Sequence, residues 1–212
     1  MSNGTKVIKR NGDTESLNLE KIHVMCEHAC KGLAGVSESA VEMNAGLQLF
    51  DGIETKDIQE ILVRSANDLI SLESPNYQFV AARLLLFGLR KQVYNGHPDG
   101  HPPLLEHVKT CIDRGVYDAG IVSKYTDEEW SKLNSYVDHD RDYLFTYAGM
   151  RQVCDKYLVQ DRSTGEIYET PQFMYMMIAA TLFQDDDPFY RLDYVKRYYN
   201  AISKHKINIP TP

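Results

Sequence analysis

The sequence predicts a mainly α-helical protein in two regions, each with one short β-hairpin. Three observations carry this reading. Long stretches repeat apolar residues at helical spacing, good N-caps stand in front of them, and only two places join alternating residues through a turn sequence. A cluster of helix breakers, NGHPDGHPP over 95–103, divides the chain into a compact module at 1–95, a linker at 96–103 and a mostly helical region at 104–212.

The first module begins with a hairpin. Lys6-Val7-Ile8-Lys9-Arg10 alternates, Asn11-Gly12 offers the two positive-φ positions of a type I′ turn, and Thr14 to Leu17 returns. Asn18 suits the N-cap of a helix from Leu19 to Leu33, with Gly32 near its end. Ser39 and Glu42 have capping-box spacing before a third segment that runs to about Phe50. Asp51-Gly52 reads as a turn. Thr55 then caps a helix from Lys56 to about Leu72, in which Ile58, Ile61, Leu62, Ala66 and Leu69 keep a helical period. Pro75 starts another helix, Asn76 to Tyr94. It is apolar over most of its surface, hence buried, with Arg90 and Lys91 emerging at its end.

In the second region Thr126 and Glu129 form a capping box before a segment containing Trp130 and Leu133. A helix is expected from about Thr146 to Asp155. Tyr157-Leu158-Val159 and Ile167-Tyr168 flank Arg162 to Gly165 as a second hairpin. Pro171 opens an apolar helix to Phe183. Asp185-Asp186-Asp187-Pro188 stops it and starts a last helix that ends near Lys204. Ile207-Asn208-Ile209 alternates like a strand with no partner in sight, the mark of an incomplete fold.

Composition narrows the function. The chain has 212 residues, 43% hydrophobic and 25% charged, with a net charge of -7, which is ordinary for a globular protein. No basic block is present, so a general nucleic-acid binder is not expected. The longest apolar stretches are too short to cross a bilayer, and the N-terminus has no apolar leader, so no membrane partner and a cytoplasmic location are expected. Cys26, Cys30, Cys111 and Cys154 form no CxxC pair, which leaves free thiols and neither a zinc ribbon nor a thioredoxin-like motif.

No P-loop and no GxGxxG occurs, so binding a polyphosphate would need discrete cations. The hairpin offers Lys9 and Arg10, Lys21 follows the Asn18 cap by one turn, and Arg90 and Lys91 come from a distant helix end. Helix N-termini after Asn18 and Thr55 would add backbone N–H donors. Other constellations read as structure. His23, Cys26, Glu27 and Cys30 share a helical face that fits a buried seam better than a zinc site, so no metal site is expected. Asp138-His139-Asp140-Arg141-Asp142 reads as local ion pairs and caps rather than a phosphohydrolase or kinase loop. His97 and His101 read as exposed linker residues, Phe173 to Met177 as core, and Asp185 to Asp187 as a solvated loop.

Several motifs, taken together, resemble a known family. Val7-Ile8-Lys9-Arg10-Asn11-Gly12, Glu15, Asn18-Leu19-Glu20-Lys21-Ile22, Asp51-Gly52-Ile53 with Thr55, and Ala81-Ala82-Arg83-Leu84 through Leu89-Arg90-Lys91 look like an ATP-cone. Their order and spacing are similar to the N-terminus of class I ribonucleotide reductase large subunits. Asp138 to Asp142, Tyr157 to Gln160, Thr164 to Glu169, Gln172-Phe173 and Pro210-Thr211-Pro212 follow in the same family's order. The resemblance covers essentially the whole chain and departs in the linker, which looks longer here.

The resemblance implies a fold in which the ATP-cone, a β-hairpin plus about four helices, precedes a helical segment leading into an α/β barrel that this sequence lacks. It implies an allosteric site for ATP or dATP, with Mg2+ accompanying the nucleotide. Lys9, Arg10, Lys21 and Lys91 would hold phosphates, while Glu15, Ser16, Leu17, Asn18, Leu19, Glu20, Lys21 and Thr55 would meet base and sugar. Gln59 stands where many bacterial relatives have His, and it cannot carry a charge, so the resemblance implies binding with a weakened dATP off-switch. The family's catalytic cysteines lie beyond Pro212, so no catalytic residue is assigned and Thr211 is the one substrate contact carried over. The implied partners are a C-terminal portion of the large subunit, a radical-generating small subunit, thioredoxin or glutaredoxin, and further copies of the large subunit. A stand-alone nucleotide-sensing module is the alternative. ATP-cone repressors of that kind carry a zinc ribbon, absent here, and residues beyond 103 would have no role in it.

Overall fold

The computed structural model describes residues 5–9, 12–94, 97 and 100–207. It is mainly helical with two small sheets and divides into two compact units, 1–88 with 145–152 and 89–144 with 153–212. The division falls inside a helix, between Gly88 and Leu89, and not in the breaker-rich linker. The cause is local: the last turns of that helix send Arg90 and Tyr94 into the second unit's core.

In the first unit, β1 (Lys6–Ile8) pairs antiparallel with β2 (Thr14–Ser16), as the hairpin reading expects. The Gly12 N–H bonds the Lys9 carbonyl at 2.9 Å and Gly12 has φ 87°, while Asn11, the other residue of the expected turn, lies outside the described residues. A third strand that sequence reading missed, β3 (Ile53–Glu54), adds to β1 in parallel, matching Val7 to Ile53 and Ile8 to Glu54. The order is β2-β1-β3. The Asp51-Gly52 turn delivers β3: Asp51 Oδ1 accepts from Lys6 N at 2.7 Å, and the Gly52 N–H returns to the Lys6 carbonyl.

Helix α1 (Leu19–Cys30) starts at Asn18, whose Oδ1 accepts from Lys21 N at 3.2 Å, the cap the sequence predicts. Its far end is closed by Arg83, whose guanidinium donates to the carbonyls of Ala29 and Lys31. Helix α2 (Glu38–Gly46) is capped by Ser37 and not by Ser39. The Tyr77 hydroxyl accepts from the Ser37 N–H, which holds the backbone extended there. Helix α3 (Thr55–Asp68) takes Thr55 as its first residue, with Glu54 at the N-cap and no side-chain cap bond, so Thr55 is not the cap. Helix α4 (Tyr77–Tyr94) follows. Val7, Ile22, Cys26, Val41, Ile53, Leu62, Val80 and Leu84 make the core these elements share. Helix α8 (Tyr147–Gln152) joins the unit through an ion pair between Arg151 and Glu60.

The second unit contains α5 (Leu104–Asp113) and α6 (Gly120–Lys124), neither delimited by sequence reading. Helix α7 (Asp127–Tyr136) follows, with both halves of the Thr126–Glu129 capping box present. A 3-10 turn (His139–Leu144) and a π-helical turn (Val153–Tyr157) come next in this unit. The hairpin sits two to three residues further on than expected in its first strand: β4 (Gln160–Asp161) pairs with β5 (Glu166–Ile167), and Gly165 takes the positive φ. Helices α9 (Pro171–Leu182) and α10 (Arg191–Ser203) complete it, with Pro171 in the first turn of α9. Burial extends nearly all round α9, whose Phe173 and Met176 are fully enclosed. Beyond Ile207 the proposed final strand lies outside the described residues.

Buried polar groups tie this unit together. Asp142, 1% exposed, accepts from Arg90 Nη2 at 3.1 Å and from Gln172 Nε2 at 2.9 Å. Gln172 Oε1 accepts from the Tyr199 hydroxyl at 2.6 Å, and that hydroxyl accepts from the Asp138 N–H. The Asp138–Arg141 pair forms at 3.0 Å, so the 138–142 run is structural, though its main partners are distant in sequence. His101, itself exposed, stacks on the half-buried His139 with ring centres 3.9 Å apart.

Burial sets the proton affinities of this core. It depresses His107 to about 4 and His139 to about 3, aided for His139 by the His101 and Arg90 charges. The unfolded imidazoles bind protons near 6.5 while the folded ones do not, so stability present above pH 6.5 is lost as pH falls toward 4. Asp142 acts in the opposite sense, because burial raises it to about 6 and the folded form keeps its proton longer than the unfolded one. Glu169 is raised by burial in the same sense as Asp142, so the His107 contribution between pH 6.5 and 4 has to be isolated by substitution. A His107→Phe variant should show a slope shallower by roughly one proton in denaturant titrations across that range; an unchanged slope would refute the assignment.

Candidate functional site

The parallel pairing of β1 and β3 places Lys9 and Thr55 side by side, each the first residue past the end of its strand. Positions outside the carboxyl ends of parallel strands are favoured ligand positions, because loops and helix N-termini converge there. On the other side of β1, Glu15 of β2 lies opposite Val7 and reaches both Lys9 Nζ, at 2.8 Å, and Lys21 Nζ, at 3.7 Å. Lys21 belongs to the first turn of α1, where Asn18 occupies the Lys21 N–H. The structure therefore gathers Lys9, Glu15, Asn18, Lys21 and Thr55 around one end of the small sheet.

This end is open to solvent. Ser16, Asn18, Leu19, Glu20 and Lys21 are exposed, while Leu17 and Thr55 are half-buried. Leu17 packs on the core and its N–H binds the Thr5 carbonyl at 2.7 Å, which fixes the approach to α1. Leu19 leaves 66% of its surface in water, an uncovered apolar surface next to a helix N-terminus. The Glu15 hydrogen bond holds Lys9 above its ordinary pKa, and Lys9 in turn holds Glu15 below the usual carboxylate range. Two ammonium groups held by one carboxylate suit a multiply charged anion: a phosphate group can take both lysines while Glu15 turns to another donor.

Gln59 lies one turn along α3 from Thr55, but its amide faces α4. Its Nε2 donates to the Leu84 carbonyl at 2.6 Å. A Cβ at Gly88 would stand 2.9 Å from Gln59 Cγ, so glycine at 88 is what lets Gln59 lie against α4. Sequence reading missed Gly88. A lone glycine inside an apolar helix was the available signal for a close approach. Lys91 is exposed on the last turns of α4 and belongs to the second unit. Arg90, offered by sequence reading as a phosphate ligand, is instead committed to Asp142 and the His139 carbonyl. Arg10 and Thr211 lie outside the described residues.

All four cysteines are buried free thiols. Burial pushes the Cys26 and Cys111 thiols up to about 12 and Cys30 to about 11. His23 pairs with Glu42 at 2.8 Å. Among the described residues no group of three His, Cys, Asp or Glu side chains is placed to hold a metal ion, and no helix is long and apolar enough to cross a membrane.

Comparison with known proteins gives two domain matches. Residues 5–92 match the ATP cone domain, and residues 143–212 match the ribonucleotide reductase all-alpha domain. The whole chain is 46% identical to ribonucleoside-diphosphate reductase 1 subunit alpha of Escherichia coli, of which it covers 28%. It is 47% identical over all 212 residues to the corresponding alpha subunit of Haemophilus influenzae, and 43% identical over 206 residues to that of Enterobacteria phage T4. The chain thus spans just over a quarter of the length of these relatives.

The Gln59–Gly88 contact is open to a direct test. Gly88→Ala is expected to destabilise the protein by about 1–2 kcal/mol through overpacking. In a Gln59→Ala background the same change should instead stabilise it by up to about 1 kcal/mol through helix propensity. Denaturant titration of the four proteins measures this, and strictly additive effects would contradict the packing.

Proposed function

We propose that this chain, which matches the ATP cone domain over residues 5–92 and the ribonucleotide reductase all-alpha domain over residues 143–212, is the N-terminal part of a ribonucleotide reductase large subunit and binds ATP or dATP as the allosteric effector of ribonucleoside-diphosphate reduction. The observation that carries the reading is the convergence of Lys9, Glu15, Lys21 and Thr55 at the end of the β1–β3 pair, within the segment that matches the ATP cone.

In this proposal Lys9, Arg10, Lys21 and Lys91 hold the polyphosphate, with Mg2+ bound through phosphate oxygens. Charge-assisted bonds from lysines and arginine supply affinity without a P-loop. Residues Glu15 to Lys21 and Thr55 meet the base and sugar, with Leu19 as an apolar surface for adenine. ATP and dATP differ by one hydroxyl, so a switch between active and inactive oligomers requires a group that responds to that hydroxyl in one state more than in the other. Gln59, held by the Leu84 carbonyl, supplies no charge to that decision.

Reduction of a ribonucleoside diphosphate to the deoxy form needs redox-active cysteines, and the four here are buried, with burial holding the Cys26, Cys30 and Cys111 thiols protonated. The chemistry is therefore assigned to a C-terminal portion of the large subunit carrying the α/β barrel, with a small subunit generating the radical and thioredoxin or glutaredoxin returning electrons. Thr211 would touch substrate diphosphate at the edge of that barrel. A stand-alone sensing module is the weaker reading, because it leaves the all-alpha match at 143–212 without a role.

Calorimetry on this chain should detect ATP and dATP at roughly micromolar Kd, an energy of about -8 kcal/mol. Lys9→Ala combined with Lys91→Ala should abolish both; unchanged binding would refute the site. Mixing the chain with the C-terminal portion, small subunit and thioredoxin should yield diphosphate reduction that neither portion gives alone. Failure of the two portions to form a complex would count against the reductase role.

A further inference from the structure

Lys91, the lysine proposed to hold effector phosphate from the end of α4, stands on a turn whose neighbouring side chains are anchored within the second unit. Its neighbour Arg90 donates through Nη2 to the His139 carbonyl at 2.5 Å and to Asp142 Oδ2 at 3.1 Å, and its guanidinium lies 5.6 Å from the Tyr143 ring centre. Three residues beyond Lys91, the Tyr94 hydroxyl bonds Thr170 Oγ1 at 2.7 Å in the buried core. The last turn of a helix has carbonyls without intrahelical partners and frays readily. Here it is clamped on both sides of Lys91.

The clamp is itself held. Asp142 cannot turn freely, because its other oxygen accepts from Gln172 of α9, and Gln172 is fixed in turn by Tyr199 of α10. Arg90 is 21% exposed at its side chain and faces a fully enclosed carboxylate. Removing that charge would leave a mostly buried guanidinium without a counter-ion, a strong drive for Arg90 to swing toward water and loosen its turn.

We infer that Asp142 is a positioning residue for Lys91, so that effector affinity depends on a residue beyond the segment that matches the ATP cone. This rests on the reading that Lys91 holds effector phosphate. A lysine on a fixed turn meets phosphate without first ordering the backbone, whereas on a loosened turn that ordering cost is subtracted from binding.

The test is a calorimetric cycle on the full chain with ATP and with dATP, using the unaltered protein, Asp142→Asn, Lys91→Ala and the double variant. Asp142→Asn is expected to weaken both nucleotides by about three- to tenfold, while the double variant binds no more weakly than Lys91→Ala alone. A general loss of structure would instead lower affinity in both backgrounds, and that result overturns the inference, as does unchanged affinity in Asp142→Asn. Should Asp142→Asn fail to fold, Tyr94→Phe decides. It keeps the ring and all charges, and is expected to weaken binding about two- to threefold only when Lys91 is present; no effect, or the same effect without Lys91, overturns the inference. An unaltered protein that binds neither nucleotide overturns the allosteric reading itself, whereas intact binding insensitive to position 142 overturns this inference alone.

Discussion

The parallel pairing of Val7 with Ile53 and Ile8 with Glu54 determines where the charged residues of the first unit emerge. Both apolar members of the pair are buried, Val7 at 3% and Ile53 at 1% exposure, so the register is fixed by core packing. A slip of one residue would expose them and carry Lys9 away from Thr55. The short sheet thus converts hydrophobic burial into a defined spacing between a lysine and a helix N-terminus. Glu15 adds to this by keeping Lys9 and Lys21 close despite their like charge.

The second unit depends on a different constraint. A carboxylate taken wholly out of water must find donors, and Asp142 finds them on α4 and on α9. Tyr199 and Asp138 extend the chain of bonds to α10. Such a network contributes little net stability compared with apolar packing, but each unpaired member would be costly. Its effect is to specify a single arrangement of otherwise adaptable Met-rich and aromatic surfaces, such as those of α9.

Local signals were legible in the sequence, and non-local ones were not. Asn18, the Thr126–Glu129 box and Pro171 act within one helical turn, so spacing alone reveals them. Ser39 and Glu42 had the same spacing, yet the helix starts at Ser37, because a hydroxyl from Tyr77 fixes the backbone there. The two-residue strand β3 has no alternation to read, and its partner lies on the first strand of the chain. Arg90 looked like an exposed cation because nothing near it in sequence opposes its charge; Asp142 does so from another part of the chain. The lysine–glutamate cluster could be anticipated from a hairpin followed by a cap. The adjacency of Thr55 to Lys9, and of Gly88 to Gln59, required the fold.

Glu129 completes the cap of α7 through the Thr126 N–H and also receives Arg191, at the start of α10, with both of its oxygens. One carboxylate therefore caps α7 and holds the side chain of the first residue of α10. Fraying at either start weakens the other, which makes the α7 and α10 N-termini a single cooperative element in local opening. Opening of the α10 start that frees Arg191 thus removes a charged partner from the carboxylate that caps α7.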